Sequence, residues 1–572
     1  MPQTGRMTGR KKRKIEMMTE TFFRVNKLAA RCLLAGGSLA MASNAQAFFL
    51  DGNGHYALRG VTEKNPGFAT DSGTYQVIEQ SFRLEGEARM NDKSSFFMEL
   101  RLTDDPATSF LGDSPKPRSC SPRRDTSGSD NGVTSNDCTG RHQDSGSPGY
   151  KPYQPIFTNA FARQAFDLCL VEAGRRPRNW GIGVMMDGGS KPFSSDWSVY
   201  DGIDCHVNIQ KSQSIGFKLG YDKLAETGTW IDNPYDRTLS DPASESEFNS
   251  RGGSFGATNP SDDLDQYFFT IEYDDRKANA GAAFTKQIGI YFANVIGKDS
   301  KTDLKLVDLY TALFLSNLTL KNELLFRLGK SADPSWIELG GARFENGDIA
   351  TNNVQSVGFA GVLEWTLSRD GSAIGPADYR QGNASRQLLF LDYAYAPGDP
   401  NAYYRDGAGL SDEALNTIGE SQRSAKTTAM GFHRNYQPAL ILFSGKSGTE
   451  KTGLSGVYDP GRIMNATMIG LGYRLESLES GVFEAKLLNA RMNASLPAAV
   501  RDYYVANDGT KPVGFYGDDF GLELDLKYSA TPSREFEYGV EAGYARPGNA
   551  LKVSNAAPAP VVLLQSYAAF KF

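Results

Sequence analysis

Apolar and charged side chains alternate with a period of two along most of the chain. In residues 522–528 the even positions are apolar and most odd positions are charged, and a similar division recurs in 535–544, 318–328 and 94–103. Successive side chains of a β-strand point to opposite faces, so each segment predicts a strand with one apolar and one charged face. The pattern therefore indicates an all-β protein.

The length and the ends of these segments favour a membrane barrel over a soluble sandwich, which also alternates. Many segments reach about ten residues, whereas soluble strands average about five or six. Their apolar faces end in aromatic residues such as Tyr528, Tyr538 and Tyr544, as expected at a membrane interface. In lipid every backbone N–H and C=O needs a partner, so the sheet must close. We predict a transmembrane antiparallel β-barrel.

Counting segments predicts about 18 strands, within a range of 16 to 20, because bacterial single-chain barrels have even strand numbers. The nineteen candidates imply that one is false or that one is missed. They are 54–63, 75–90, 94–103, 156–173, 179–187, 202–211, 214–222, 264–274, 279–297, 303–316, 318–330, 355–368, 387–397, 426–443, 461–476, 481–493, 518–529, 534–545 and 561–572.

Three long polar stretches separate predicted strands. Residues 104–154, 225–262 and 399–424 are rich in Gly, Ser, Asp and Pro. Loops of this length are unusual in compact soluble domains, but one side of an outer-membrane barrel carries long external loops. We therefore interpret residues 48–572 as one barrel domain with these three external loops.

The N-terminus has the parts of a secretory signal peptide. A basic run over 10–14 precedes the short apolar stretch 32–42 and the sequence Asn44-Ala45-Gln46-Ala47. Such an order predicts export and cleavage after Ala47. A nucleic-acid-binding basic tail is the alternative, but it would not carry an apolar stretch ending in Ala-x-Ala. Met17 or Met18 would start a signal of ordinary length.

Composition narrows the class further. The 572 residues contain no apolar run of the roughly 18 residues that a membrane helix needs, and an aromatic content of 11% excludes a disordered chain. Residues 1–47 carry nine basic and two acidic side chains, so their removal changes the net charge from −6 to −13. An acidic exported protein has no electrostatic footprint for nucleic acid. We expect a bacterial outer-membrane location, with outer-membrane lipid as the surroundings.

The charged alternate positions are the candidate pore lining. Charge on the lipid face costs about 2–4 kcal/mol at the midplane, so these side chains should face water inside the barrel. Charged rings bias ion passage, and the mixture here predicts a mild preference for cations. The alternative role is cross-strand pairing that stabilises the wall. The candidates from alternation are Arg83, Glu85, Glu87, Arg89, Glu99, Arg101, Lys321, Glu323, Arg327, Glu523, Asp525 and Lys527.

Four cysteines remain after signal removal. Cys120 and Cys138 lie in one long loop of an exported chain, which predicts a disulfide, with two free surface thiols as the alternative. Cys169 and Cys205 fall on opposite faces by alternation, which would prevent a bridge, although a bulge could change the register. Their pairing stays open.

The chain ends in an aromatic residue after a final alternating segment. Residues 565–572 resemble the C-terminal signal by which bacterial outer-membrane barrels are recognised for assembly. The resemblance implies that Phe572 and Phe570 are read by the barrel-assembly machinery.

Residues 174–202 resemble a segment of the alginate-export family of outer-membrane barrels and related porin-like proteins. Gly174-Arg175-Arg176 leads to Trp180-Gly181, and Asp196-Trp197 precedes Tyr200-Asp201-Gly202. The resemblance implies an 18-stranded monomeric barrel that exports or admits polar solutes. A place in the interfacial aromatic girdle, or simple packing, is the alternative role for Trp180 and Trp197. The residues implied to line or brace the pore are Arg175, Asp196, Trp197, Asp201 and Gly202, and the adjacent Arg176 is a further pore-lining candidate.

The sequence contains few residues or motifs that indicate catalysis or metal binding. The mature chain has four histidines, of which His206 lies in a predicted strand beside Asp204, and the nucleophile-elbow, zinc-protease and P-loop patterns do not occur. We predict no catalytic site, metal or cofactor. The predicted function is a monomeric or trimeric channel that passes small polar solutes or ions by diffusion, or that exports a polar polymer. An anchoring or adhesion barrel with a plugged lumen and, less favoured, an outer-membrane hydrolase are the alternatives.

Overall fold

The structure is a computed structural model of the 572-residue chain. The described residues begin at Phe49, so the predicted signal peptide over 1–47 and the predicted Cys120–Cys138 bridge lie outside them. They are 49–65, 68, 73–101, 156–194, 198–208, 214–224, 264–276, 282–297, 301–331, 343–345, 348–370, 385–400, 426–433, 435–443, 461–477, 481–506, 511–552 and 557–572.

Among the described residues, eighteen antiparallel strands form one closed wall. Each pairs with its neighbours in the chain, and β1 also pairs with β18, so the sheet has no free edge. The strands are β1 Phe49–Lys64, β2 Thr74–Asn91, β3 Ser94–Arg101, β4 Ile156–Ala165, β5 Leu170–Pro177, β6 Val199–Asn208, β7 Ser214–Leu224, β8 Leu264–Asp274, β9 Phe284–Gly297, β10 Thr302–Leu315, β11 Leu318–Ser331, β12 Asn352–Asp370, β13 Ser385–Ala396, β14 Ala466–Ser477, β15 Gly481–Met492, β16 Asp519–Ser533, β17 Phe536–Pro547 and β18 Val561–Lys571.

The wall has an apolar outer face and a polar inner face. On β9 the side chains of Ile288, Ile290 and Phe292 are exposed, and on β16 those of Leu524 and Leu526 are exposed in the same way. The intervening positions point into the barrel. An exposed apolar band around a closed sheet is stable only against hydrocarbon, so the chain is a transmembrane β-barrel of the bacterial outer-membrane type.

The two rims of the barrel differ in the length of their connections. Strand pairs such as β2–β3 and β16–β17 are joined by two-residue turns at the rim where the chain also ends. The strand ends that flank residues 104–154, 225–262 and 399–424 lie at the opposite rim, and these three stretches, apart from 399–400, lie outside the described residues. Short turns at one rim and long loops at the other are typical of outer-membrane barrels.

Three predicted strands need correction. The segment 156–173 is two strands, because the chain reverses over 166–169 between β4 and β5. The segments 179–187 and 426–443 supply no wall strand. Lys426–Thr427 is a two-residue strand parallel to β12, and residues 179–187, 428–433 and 435–443 lie inside the barrel. One strand gained and two lost account for the difference between the nineteen candidates and the eighteen strands.

A disulfide joins Cys169 to Cys205, with a Cα–Cα distance of 5.7 Å. Cys169 lies in the turn before β5, and Cys205 pairs in register with Val171 on that strand. Alternation counted from Arg163 does not apply to Cys169, because the chain has already reversed. This resolves the pairing that the sequence left open.

Helical structure is sparse in the described part of the chain. Helix α1, Ala498–Ala506, lies between β15 and β16 on the long-loop rim, and a 3-10 turn, Asn549–Leu551, lies between β17 and β18. Neither element has the length and apolar character that a membrane-crossing helix requires.

Candidate functional site

Two stretches of chain fold into the barrel and narrow its lumen. The first inner segment, residues 178–194, follows β5, and the second inner segment, residues 428–433 and 435–443, follows β13. Both contact side chains on the inner face of the wall. The interior between them is the candidate functional site.

A buried ion cluster fixes the start of the first inner segment. Arg178 donates hydrogen bonds to both oxygens of Asp222 at 2.7 and 2.8 Å through Nη2, and it also bonds Asp204. Arg176 lies 3.2 Å from Asp222 and 3.4 Å from Asp204. Two cations therefore meet two anions, which compensates for burying four charges. The Arg178 guanidinium also lies 4.5 Å from the ring centre of Phe268, a cation–π distance.

Glu323 on β11 holds the middle of the first inner segment. Its carboxylate accepts hydrogen bonds from the backbone N–H groups of Ile182 at 2.6 Å, Met185 at 2.9 Å and Val184 at 3.3 Å. On the adjacent strand, Asp308 accepts a hydrogen bond of 3.0 Å from the indole N–H of Trp180. Two wall carboxylates thus provide acceptors for four donors that would otherwise be buried without partners.

The far part of the first inner segment reaches the opposite side of the barrel. Arg101 donates to the carbonyl of Gly189 and Arg83 donates to the carbonyl of Ser190, both at 3.0 Å. Arg59 lies 4.4 Å from the ring centre of Phe193. The segment therefore crosses the lumen from β11 to the inner face of β1–β3.

Glu523 on β16 holds the second inner segment in the same manner as Glu323 holds the first. It accepts hydrogen bonds of 2.7 Å from the consecutive N–H groups of Leu440, Ile441 and Leu442. Lys486 on the neighbouring strand donates to the carbonyl of Pro438. Since the glutamate side chain is fully buried, this anchor lies away from open water.

The two inner segments contact each other. The N–H of His433 donates to the carbonyl of Val184 at 2.8 Å, and the amide of Asn435 lies 3.3 Å from the Asp187 carboxylate. Apolar side chains from both segments pack against the inner wall, among them Trp180, Val184, Met430, Phe432, Ile441 and Phe443. The segments form one cross-piece that narrows the lumen from several sides.

The candidate pore residues on β2 and β3 lie on the inner face, where alternation placed them. Arg83 pairs with Glu85 at 3.1 Å, Arg89 pairs with Glu87 at 2.7 Å, and Arg101 pairs with Glu99. These three pairs join residues two apart on one strand, so they are not the cross-strand pairs of the alternative role. Arg59 and Glu79, which face each other on β1 and β2, do form such a cross-strand pair. Arg83 and Arg101 in addition hold the first inner segment, a role that the sequence did not suggest.

The candidate pore residues on β11 and β16 also point inward. Lys321 and Lys527 remain partly accessible, whereas Glu323, Glu523 and Asp525 are buried beneath the inner segments. Arg327 donates to the carbonyl of Gly431 in the second inner segment. Glu323, Glu523 and Arg327 therefore position the cross-piece, and Lys321 and Lys527 are left as partly accessible charges of the inner wall.

Part of the segment 174–202, which resembles the alginate-export family, does not lie where the resemblance implies. Arg175 forms a bidentate pair with Asp201, at 2.9 and 2.7 Å, on the face of the wall that also carries the exposed Ile203. This is the outer face, so neither residue lines the lumen. Arg176, one position further, points inward into the ion cluster, and Gly202 lies on the same inner face. Asp196 and Trp197 lie outside the described residues.

Sequence reasoning missed several inner residues that share one feature: they are charged and belong to strands β12–β15. Arg474 bonds Glu364 at 3.0 Å and Glu484 at 2.9 Å, and Arg386 bonds Glu476 at 2.9 Å. Alternation marks these positions as it marks those on β2 and β11. Asp204 and Asp222 were missed as well, because their role depends on the path of the first inner segment.

Among the described residues, no side chains are arranged as a catalytic or metal-binding site. His206 faces the lumen beside Asp204, but that carboxylate is bonded to Arg178 and does not orient the imidazole. No group of three or more His, Cys, Asp or Glu side chains in the described ranges has an arrangement that could hold a metal ion.

Comparison with known proteins gives weak structural likenesses. No family model and no curated protein matches the sequence. The crystal structure of outer membrane protein OprD from Pseudomonas aeruginosa is 10% identical, covers 93% of this chain and 96% of its own, and has a TM-score of 0.41. OpdK from the same organism, solved with vanillate, has 9% identity, 91% and 98% coverage, and a TM-score of 0.39. A BenF-like porin from Pseudomonas fluorescens has 9% identity, the same coverage and a TM-score of 0.42. Such values do not extend the activity of those porins to this chain.

Proposed function

We propose that the protein is a channel of the bacterial outer membrane through which small polar solutes and ions diffuse. The observation that carries the proposal is the cross-piece: two inner segments, each held by a buried wall glutamate, narrow a barrel whose remaining inner wall is charged. A passage of limited width with a wet, charged surface selects solutes by size and charge.

The lumen of this channel combines both signs of charge. Arg83, Arg163 and Lys321 occupy inner-face positions together with Glu85 and Glu172. Most of these charges are paired within the wall, so the field in the lumen is moderate. We expect a mild cation preference, since the exported chain carries a net charge of −13 after removal of residues 1–47.

Outer-membrane lipid and the barrel-assembly machinery are the proposed partners. Phe570 is exposed on the outer face of β18, and Phe572 exchanges backbone hydrogen bonds with Gly54. The terminal aromatic residues are thus at the surface near the seam between first and last strands. This position supports the proposal that the barrel-assembly machinery recognises Phe570 and Phe572 before the barrel closes.

An anchoring barrel with a plugged lumen is the second candidate. The apolar packing between the inner segments and the wall, which includes Met430, Phe432 and Leu440, fills part of the interior. Export of a polar polymer, as the alginate-export resemblance implies, needs the cross-piece to leave a continuous passage. Ester hydrolysis has the least support, since His206 lacks an orienting carboxylate.

Planar bilayer recordings test the channel. The purified, folded chain should give discrete ohmic current steps, with a reversal potential displaced slightly toward that of the cation in a salt gradient. Removing both anchors by Glu323→Ala with Glu523→Ala should enlarge the steps or make them noisy, since the cross-piece is then no longer held. Absence of current from protein that migrates as a folded barrel would reject the channel in favour of the anchor.

A further inference from the structure

A cavity of about 230 Å³ opens beside the first inner segment, on its short-turn side. Its polar lining comes from that segment and from inner-face positions of β8, β9 and β10. The polar and aromatic lining residues are Asn179, Trp180, Glu272, Gln287 and Tyr310. The volume equals that of about eight water molecules in the liquid, which is room for one small solute.

The aromatic wall of the cavity is fixed in place. The Trp180 indole donates to Asp308 and packs against Tyr291, with 5.5 Å between ring centres. Gly289 lies directly under the ring, and a Cβ there would be 2.9 Å from Trp180 Cη2. The bare backbone at Gly289 therefore lets the indole lie close to the wall. A rigid aromatic surface of this kind is a preformed contact for a solute.

The polar lining of the cavity includes hydrogen-bond donors and acceptors that other side chains leave unpaired. The backbones of Glu272 and Gln287 pair within the sheet, but their side chains make no hydrogen bond to another described residue. Asn179 accepts a hydrogen bond of 2.7 Å from the N–H of Gly188 through its side-chain oxygen, which leaves its NH2 group free to donate. Tyr310 adds a hydroxyl. The cavity thus presents a carboxylate acceptor, amide donors and a group that can do both.

We infer that this cavity binds a neutral polyhydroxylated ring of the size of one monosaccharide. Hydroxyl groups both donate and accept, so they satisfy the Glu272 carboxylate and the Asn179 amide at once. A cationic group only donates and would leave that amide without an acceptor, while an anionic group would be repelled by Glu272. The inference rests on the proposed channel in that the solute reaches the cavity through the lumen.

Calorimetric titration of the detergent-solubilised full chain with methyl β-glucopyranoside tests the site without requiring conductance. We expect binding that Glu272→Gln retains, since the amide oxygen still accepts from a hydroxyl. Glu272→Ala and Gln287→Leu should each weaken binding about tenfold, which corresponds to the loss of one hydrogen bond to a polar solute. Heat-modifiable electrophoretic mobility confirms that each variant is folded.

Two matched controls lie away from the cavity. Glu535→Ala, in the turn between β16 and β17, and Gln387→Leu, on β13, repeat the chemical changes elsewhere and should leave glucoside binding unchanged. The inference is overturned by absence of glucoside binding to folded protein, by binding that both cavity variants leave intact, or by methylammonium binding that Glu272→Gln abolishes. Ion current without glucoside binding rejects the site alone, and glucoside binding without ion current rejects the channel alone.

Discussion

Gly54 and Phe572 close the barrel at its seam. The N–H of Gly54 donates to the carbonyl of Phe572 at 2.7 Å, and the N–H of Phe572 donates back to Gly54 at 3.0 Å. A Cβ at position 54 would overlap the Phe572 ring, so the terminal aromatic residue occupies the space that glycine leaves. Phe572 therefore packs directly against β1.

Substitution of Gly54 by valine should impair closure. The added side chain displaces the Phe572 ring and with it the two backbone hydrogen bonds, each worth about 0.5–1.5 kcal/mol. We expect slower formation of the heat-modifiable folded species and a lower midpoint in a thermal mobility shift. Gly52→Ala is the control, because a Cβ there meets its nearest atom, the Glu85 carbonyl oxygen, at 3.6 Å. Equal behaviour of the two variants would show that the contact with Phe572 is not needed.

Removal of the Glu523 carboxylate should release the second inner segment. In Glu523→Ala, the N–H groups of Leu440, Ile441 and Leu442 lose their acceptor, and each unpaired buried donor costs about 1–3 kcal/mol. The segment should leave the wall, so limited proteolysis should cut it several times faster than in the parent chain.

Glu541→Ala serves as the control for that experiment. Glu541 lies on the inner face of β17, where it accepts a hydrogen bond from Gln565 and holds no inner segment. Its loss should leave the cleavage rate near that of the parent. If Glu523→Ala resists the protease as well as Glu541→Ala does, the three amide bonds do not determine where the segment lies.

The wall strands were largely predictable, because the lipid outside and the charge inside impose a period of two on every strand. For example, β8 was predicted with the observed limits, Leu264–Asp274. The inner segments were not predictable from that pattern. Residues 179–187 and 436–443 are apolar because they pack against the inner wall, and alternation does not distinguish apolar side chains that face lipid from apolar side chains that face another part of the chain.

The same limit applies to the site. Glu323 and Glu85 have the same place in the pattern, at a charged alternate position of a strand, yet one is fully buried under backbone amides and the other is partly exposed. Which of the two holds an inner segment depends on contacts between residues 138 or more positions apart in the chain. The cavity beside Trp180 follows from the same long-range contacts and has no local signature.

The Cys169–Cys205 disulfide should stabilise the part of the wall that carries the first inner segment. The bridge spans 36 residues and encloses β5, the segment and most of β6. In the chain-entropy description a closed loop of this length is worth about 4 kcal/mol. Cys169→Ser with Cys205→Ser should therefore lower the unfolding temperature measured by mobility shift. A background of Cys120→Ser with Cys138→Ser isolates the effect, and an unchanged midpoint there would contradict it.

Arg178 and Arg175 allow a matched comparison of a buried and a surface ion pair, three residues apart. Arg178 neutralises Asp222 and Asp204, which are both inaccessible to solvent, whereas Arg175 pairs with Asp201 on the outer face. Arg178→Ala leaves two buried carboxylates with Arg176 alone and should reduce the free energy of unfolding by about 3–5 kcal/mol. Arg175→Ala should reduce it by at most about 1 kcal/mol. Urea unfolding in lipid vesicles, followed by tryptophan fluorescence, measures both. If both variants lose a similar free energy of unfolding, Arg178 contributes no more than a surface charge. The proposal that the ion cluster anchors the start of the first inner segment would then be wrong.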